Sequence, residues 1–186
     1  MNIRELIHSA IAEHSRETSR LHFLPENRYN SQMFASGLFA SCGWYDWFSG
    51  QMLYCLTRYL KPRRVLEVST ASGYATLFIA LAMKENNVGL VETYEWDAVA
   101  ANAAKRNLVE QGVSPFVRVH EGDARILLAN PDSDFDIYFL DSMHIAHFAK
   151  WFVEKCVLSS SSDDALFHMH DITECVKGFW TLMAKV

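Results

Sequence analysis

Five acidic residues stand in or just beyond five short apolar runs: Glu67, Glu95, Asp123, Asp141 and Asp171. A single acid after such a run is an ordinary turn former or helix cap. Five at corresponding places converge on one rim if the runs are parallel strands. Carboxylates gathered there can accept hydrogen bonds from ribose hydroxyls, an ammonium group or an adenine amine, or hold a hard metal ion. Two histidines keep close company with these acids, in Asp141-Ser-Met-His144 and in His170-Asp171. A histidine after a strand, taken alone, is more often structural than catalytic. Between the first acid and the first helix of the pattern runs Ser69-Thr-Ala-Ser-Gly73, a turn-forming stretch.

The elements that must position these residues follow from periodicity. Arg64–Ser69, Val88–Trp96, Phe116–His120, Phe135–Leu140 and Ala165–His170 read as strands. Tyr74–Lys84 is apolar nearly all round, as expected of a helix buried against a sheet. Asp97 caps an alanine-rich helix that ends at Gly112; Ala124–Ala129 is a short helix, and Ile145–Val157 a longer one. Val176, Phe179, Trp180 and Met183 mark one face of a last helix. Strands alternating with helices imply right-handed crossovers and a parallel sheet covered on both faces. The expected class is α/β, doubly wound and mainly parallel, with ligands held outside the carboxyl ends of the strands.

The N-terminal third has a different rhythm. Asn2 with Glu5 resembles a capping box, and Ile3, Leu6, Ile7, Ala10 and Ile11 follow helical spacing. Residues 20–43 are irregular, and a second helix spans about Asp46 to Leu60, before Pro62. Trp44, Tyr45, Trp47, Phe48 and Tyr54 form either an aromatic cap on the core or one wall of a substrate pocket. The expected organisation is a helical cap region over residues 1–61 and a nucleotide-fold core over residues 62–186, in a single domain.

Composition bounds the function classes. The chain has 186 residues, of which 50% are hydrophobic and 21% charged, which suits one globular domain with a sizeable core. The formal charge of −5 and the lack of a basic run argue against a nucleic-acid partner. Cys42, Cys55, Cys156 and Cys175 show no CxxC spacing and read as buried thiols of a reducing, cytoplasmic compartment. The N-terminus shows no signal peptide, and the least charged stretch, residues 29–45, is too polar and short for a membrane span.

Val65-Leu-Glu-Val-Ser-Thr-Ala-Ser-Gly-Tyr74 resembles the first motif of class I S-adenosylmethionine-dependent methyltransferases. It is closest to that of the metal-dependent O-methyltransferases, the catechol and caffeoyl-CoA enzymes, which read Glu-(Ile/Leu)-Gly-Thr-x-(Thr/Ser)-Gly-Tyr-Ser. The motif needs a tight turn that lets backbone approach the methionine end of the cofactor, beside a helix N-terminus. The resemblance implies cofactor contacts from Glu67, Ser69, Thr70, Ala71, Gly73 and Tyr74, with Ser69 in place of the family's first glycine. It further implies that Glu95 binds the ribose hydroxyls, that Trp96 stacks on adenine, and that Asp123 and Ala124 border the adenine ring. Trp96 reads equally as a core aromatic, and Asp123 as a helix cap.

Phe135-Asp-Ile-Tyr-Phe-Leu-Asp141 resembles the fourth-strand motif, whose terminal Asp touches metal and cofactor; His144 then takes the general-base position. The near-neutral reference pKa of imidazole suits that task. Leu166-Phe-His-Met-His-Asp-Ile172 resembles the fifth-strand motif, so Asp141, His170 and Asp171 are the implied ligands of a divalent ion, with imidazole favouring Mn²⁺ or Fe²⁺ over Mg²⁺. Family members continue into two further strands, whereas this chain ends fifteen residues after Asp171. The expectation is therefore a fragment of a longer protein or an edge covered by another chain, such as a homodimer partner. The implied function is O-methylation of a small-molecule hydroxyl. The alternative is an inactive cofactor-binding or scaffold domain. A nicotinamide oxidoreductase fits less well, since the turn lacks Gly-x-Gly-x-x-Gly.

Overall fold

The computed structural model describes residues 1–21, 47–129, 134–142, 145–160 and 164–170. Helix α1 (Ile3–His14) opens with the capping box: the Asn2 side chain accepts from the Glu5 amide, and the Glu5 carboxylate accepts from the Asn2 amide. A 3₁₀ segment, Ser15–Leu21, leads away from it. The elements that follow are α2 (Trp47–Leu60), β1 (Arg64–Val68), α3 (Tyr74–Asn86), β2 (Leu90–Glu95) and α4 (Ala98–Glu110). Then come β3 (Val117–Glu121), α5 (Ala124–Leu127), β4 (Ile137–Leu140), α6 (Ala146–Phe152) and β5 (Leu166–Met169).

The strands form one sheet in the order β3-β2-β1-β4-β5, and every pairing is parallel. The order reverses beside β1, which places the strand ends of β1 and β4 on either side of the crevice where such sheets bind ligands. Two cores result. Val65, Val91, Ile137 and Phe139 face α3 with Leu77, Phe78 and Met83, while Leu66, Tyr138 and Leu140 face α6 with Phe148, Phe152 and Cys156. The fold class is that expected from the periodicity, a doubly wound α/β sheet.

Element ends depart from the periodic reading by one to two residues, for local reasons. Helix α3 runs on to Asn86 because Asn87, at φ 53°, turns left-handed and its amide donates to the Lys84 and Met83 carbonyls. Strand β2 starts only at Leu90, after Gly89 at φ 103°. Strand β4 starts at Ile137 because the Asp136 side chain is taken up as a clamp, accepting from the Arg63 and Arg64 amides at 2.7 and 2.9 Å. Helix α6 widens into a π-type turn over Val153–Val157. Residues 22–46, which include Cys42 and Trp44, and the last helix expected after Asp171 lie outside the described residues. Among the described residues no helix is long and apolar enough to cross a membrane.

The N-terminal helices bear on the site through α3. The Glu17 carboxylate accepts from Arg58 at 2.7 Å and from the Tyr54 hydroxyl at 3.0 Å, and the Arg58 hydrogen bond holds Glu17 down at about 2. Arg58 also donates to the Asn86 side chain, which in turn donates to the Thr57 carbonyl at 2.9 Å. This ties the 3₁₀ segment and α2 to the far end of the helix that leaves the Ser69–Gly73 turn. At the near end, Gly50 of α2 lies flat on the buried Phe78 ring, and a Cβ there would overlap that ring. Gly50→Ala should therefore lower unfolding free energy by roughly 1–3 kcal/mol through overpacking, despite alanine's better helix propensity. A urea midpoint equal to or above that of the unmodified protein would contradict this packing.

Candidate cofactor site at the strand ends

The turn after β1 is built from backbone that side chains rarely adopt. Ser69 sits at φ 82°, Ala71 at φ 48° and Gly73 at φ 87°. Three hydrogen bonds hold this shape: Ser69 N–H to the Tyr94 carbonyl at 2.9 Å, Gly73 N–H to the Thr70 carbonyl at 2.8 Å, and Ala71 N–H to the Glu95 carboxylate at 2.8 Å. Asn107 of α4 adds a fourth from outside, donating to the Ser72 carbonyl at 2.9 Å. Gly73 then starts α3, and its conformation is one that a residue bearing a Cβ would adopt only with strain.

Glu95 is 4% exposed, and both of its oxygens are engaged: Oε2 by the Ala71 amide and Oε1 by the Asp97 amide at 3.0 Å. Each oxygen keeps a second lone pair for a further donor. Its own carbonyl accepts from Gly122 N–H at 2.8 Å, which brings the end of β3 alongside. Asp123 caps α5, accepting from the Arg125 amide at 2.9 Å, and the Arg125 guanidinium grips both carboxylate oxygens, holding Asp123 below the usual carboxylate range. The expected cap and the expected site position are thus the same residue.

These segments wall a cavity of about 260 Å³ at the carboxyl ends of β1, β2 and β3. Of the residues singled out in the sequence, Ser69, Glu95, Trp96, Asp123 and Ala124 line it. Trp96 is 78% exposed, so the reading of it as a core aromatic does not hold. Glu67, Thr70 and Tyr74 lie behind the wall. Tyr74 packs edge-on against Phe78, and Thr70 pairs with Thr93 through their hydroxyls at 2.5 Å. Glu67 is fully buried, accepts from the Thr76 hydroxyl at 2.6 Å on Oε2, and leaves Oε1 without a partner. Burial pushes its carboxyl up to about 7, against the hydrogen bond from Thr76 and with the added repulsion of Asp141 and Glu95.

The cavity has walls that the sequence reading missed. Val68 and Tyr94 enter by strand alternation, which a register-aware reading of β1 and β2 would have found. Gly122, Arg125 and Ser142 adjoin named residues, whereas Phe148 arrives from α6 and has no signal in its own segment.

At the neighbouring strand ends, Asp141 and His170 meet. The His170 imidazole Nδ1 lies 3.1 Å from Asp141 Oδ1, and the His170 amide donates to the Leu140 carbonyl at 2.9 Å. One carboxylate and one imidazole are thus side by side, a donor pair that suits a borderline divalent ion. The third expected ligand, Asp171, and the expected base, His144, lie outside the described residues. Among the described residues no group of three or more His, Cys, Asp or Glu could hold a metal ion.

Comparison with known proteins places this architecture. A methyltransferase domain family matches residues 66–172. A catechol O-methyltransferase of Niastella koreensis is 29% identical over 97 residues, 50% of this chain and 43% of that protein. A tRNA (guanine(26)-N(2))-dimethyltransferase of Arabidopsis thaliana is 35% identical over 86 residues, 45% of this chain and 14% of that protein. The chain therefore spans less than half the length of either curated relative. A solved O-methyltransferase of Streptomyces achromogenes involved in tomaymycin synthesis, in complex with SAM, superposes with a TM-score of 0.56 at 23% identity. That match covers 84% of this chain and 70% of that one, and it shows the shared fold.

Ser69 carries left-handed strain where the resembling motif has glycine. Ser69→Gly should raise unfolding free energy by about 1 kcal/mol, the relief of strain exceeding the greater freedom of the unfolded chain. Urea denaturation of the two forms measures the difference, and a lower midpoint for the glycine form would show that the serine side chain holds the turn.

Proposed function

Since this chain belongs to the methyltransferase domain family matched by residues 66–172, we propose that it binds S-adenosylmethionine at the strand ends and methylates a small-molecule hydroxyl. One observation carries the reading. Ser69 and Glu95 share the cavity wall, and the Glu95 carboxylate is hydrogen-bonded to the Ala71 amide of the strained Ser69–Gly73 turn. An amino acid end would lie beside Ser69 and the start of α3, a ribose diol would take the free lone pairs of Glu95, and an adenine ring would lie against Trp96 near Asp123 and Ala124. Bound there, S-adenosylmethionine supplies an electrophilic methyl group.

The protein's part in such a transfer is positioning, because in-line attack by oxygen demands alignment more than covalent assistance. His144 is the proposed base, taking the hydroxyl proton, and Asp141 orients the acceptor beside the cavity. Asp141, His170 and Asp171 are the proposed holders of a divalent ion, which would lower the pKa of a bound hydroxyl. The choice of oxygen as acceptor is supported by the catechol O-methyltransferase relative. A nucleic-acid acceptor is disfavoured by the charge of −5 and the absence of a basic run. A cytoplasmic location and a homodimer or larger-chain context complete the proposal.

Glu95→Ala should weaken S-adenosylmethionine binding by ~2–4 kcal/mol, since charge-assisted hydrogen bonds are lost. Titration calorimetry reads this directly, and unchanged affinity or a preference for NAD would sink the cofactor assignment. Methyl transfer should fall at least tenfold with His144→Ala at neutral pH, and likewise with Asp171→Ala or after EDTA treatment. Full activity after both metal-directed changes points to a metal-free transferase. Binding without turnover on any hydroxyl acceptor points to a cofactor-binding scaffold domain.

A further inference from the structure

Ser69 is half-buried, lines the cavity and holds its backbone at φ 82°. That angle lies beyond the left-handed well of roughly +50 to +70° that residues with a Cβ can reach. None of the hydrogen bonds that fix the turn uses the Ser69 side chain. They run from its own amide to Tyr94, from Gly73 to Thr70, from Ala71 to Glu95 and from Asn107 to Ser72. Among the described residues no partner engages the Ser69 hydroxyl. A serine therefore stands where glycine would be unstrained, and its hydroxyl does nothing for the fold. Backbone strain of this kind gathers at ligand clamps, where it serves to present a group to a ligand.

The surroundings indicate which ligand group that hydroxyl would meet. The Ser69 amide donates to the Tyr94 carbonyl at 2.9 Å and the Asp141 amide to the Val68 carbonyl at 3.2 Å, so Ser69 stands between the carboxyl ends of β2 and β4. Glu95 lies on one side of it and Asp141, with His170 beside it, on the other. A rim with a carboxylate on either side draws cationic groups rather than anionic ones. The amino acid end of the proposed cofactor has one group of each sign. Its carboxylate suits the start of α3, and its ammonium, with three N–H donors, requires oxygen acceptors. Resting on the cofactor reading above, we propose that Ser69 is a specificity-determining residue whose hydroxyl oxygen accepts a hydrogen bond from the ligand's ammonium group. Glycine at this position offers no such acceptor. The serine thus adds affinity for the amino acid end of the ligand while lowering the stability of the turn.

Titration calorimetry of the whole chain at a fixed neutral pH, with S-adenosylhomocysteine and its desamino analogue, tests this contact. The analogue keeps the adenosine, the sulfur and the carboxylate and lacks only the ammonium. Ser69→Ala retains the Cβ and should bind S-adenosylhomocysteine about tenfold more weakly, the worth of one charge-assisted hydrogen bond. Its affinity for the desamino analogue should change by less than about twofold, since that ligand has no ammonium to lose a partner. Ser69→Gly removes the same hydroxyl while relieving the strain, so it should show the same split between ligands from a more stable fold. The glycine form carries the test if the alanine form does not fold. Variants that bind S-adenosylhomocysteine as tightly as the unmodified protein, or that lose affinity for both ligands equally, overturn the contact and leave the cofactor assignment intact. Failure of the unmodified protein to bind S-adenosylmethionine or S-adenosylhomocysteine overturns both.

Discussion

The hydrogen bond from the Ala71 amide to the Glu95 carboxylate ties the turn after β1 to the end of β2, and the rest of the candidate site is arranged around that tie. A chain leaving a parallel strand for a helix must reverse within a few residues, and here it does so through three left-handed conformations. Such backbone is kept only where its surroundings over-determine it. Tyr94, Thr70, Asn107 and Glu95 supply that restraint, each from a different position in the chain. Glu95 therefore serves the turn as an internal anchor as well as presenting lone pairs to the cavity. A change at this residue acts on the turn geometry and on any ligand together.

Charge is distributed unevenly about that turn. On one side Glu92 is paired with Arg64 on β1, and on the helical side Glu17 is paired with Arg58, so each of these acids has a cation within reach. Beneath the turn Glu67 faces Thr76 and Thr93, with Asp141 and Glu95 adding repulsion. Of the strand-end acids, Asp123 is gripped by Arg125 and Asp141 lies beside His170, whereas Glu67 is buried against a hydroxyl.

The helical region before β1 contributes by bracing α3. Glu17, Tyr54, Arg58 and Asn86 form a connected set at one end of that helix, and Gly50 on Phe78 fits the other. The helix that begins at Gly73 is thus held at both ends. Its first turn has little freedom to swing away from the cavity.

Much of this was legible in the sequence because it is local. Strand and helix alternation, the Asn2 and Asp97 caps, the left-handed Gly112 after α4, and the placing of Ser69, Glu95, Trp96, Asp123 and Ala124 near one rim all follow from periodicity or from a short motif. What the sequence could not give was direction and distance. Whether Glu67 points into the cavity or beneath it depends on the face of β1 that α3 covers. Whether Asp123 is open depends on Arg125 folding back onto it, and Phe148 reaches the cavity only because α6 packs across the sheet. By itself, then, the sequence determined the order of elements and the acids at their ends, since both are written in spacing along the chain. Tertiary structure alone decided that Glu67 is buried and that Glu17 and Glu92 meet Arg58 and Arg64, because those neighbours come from residues distant in sequence.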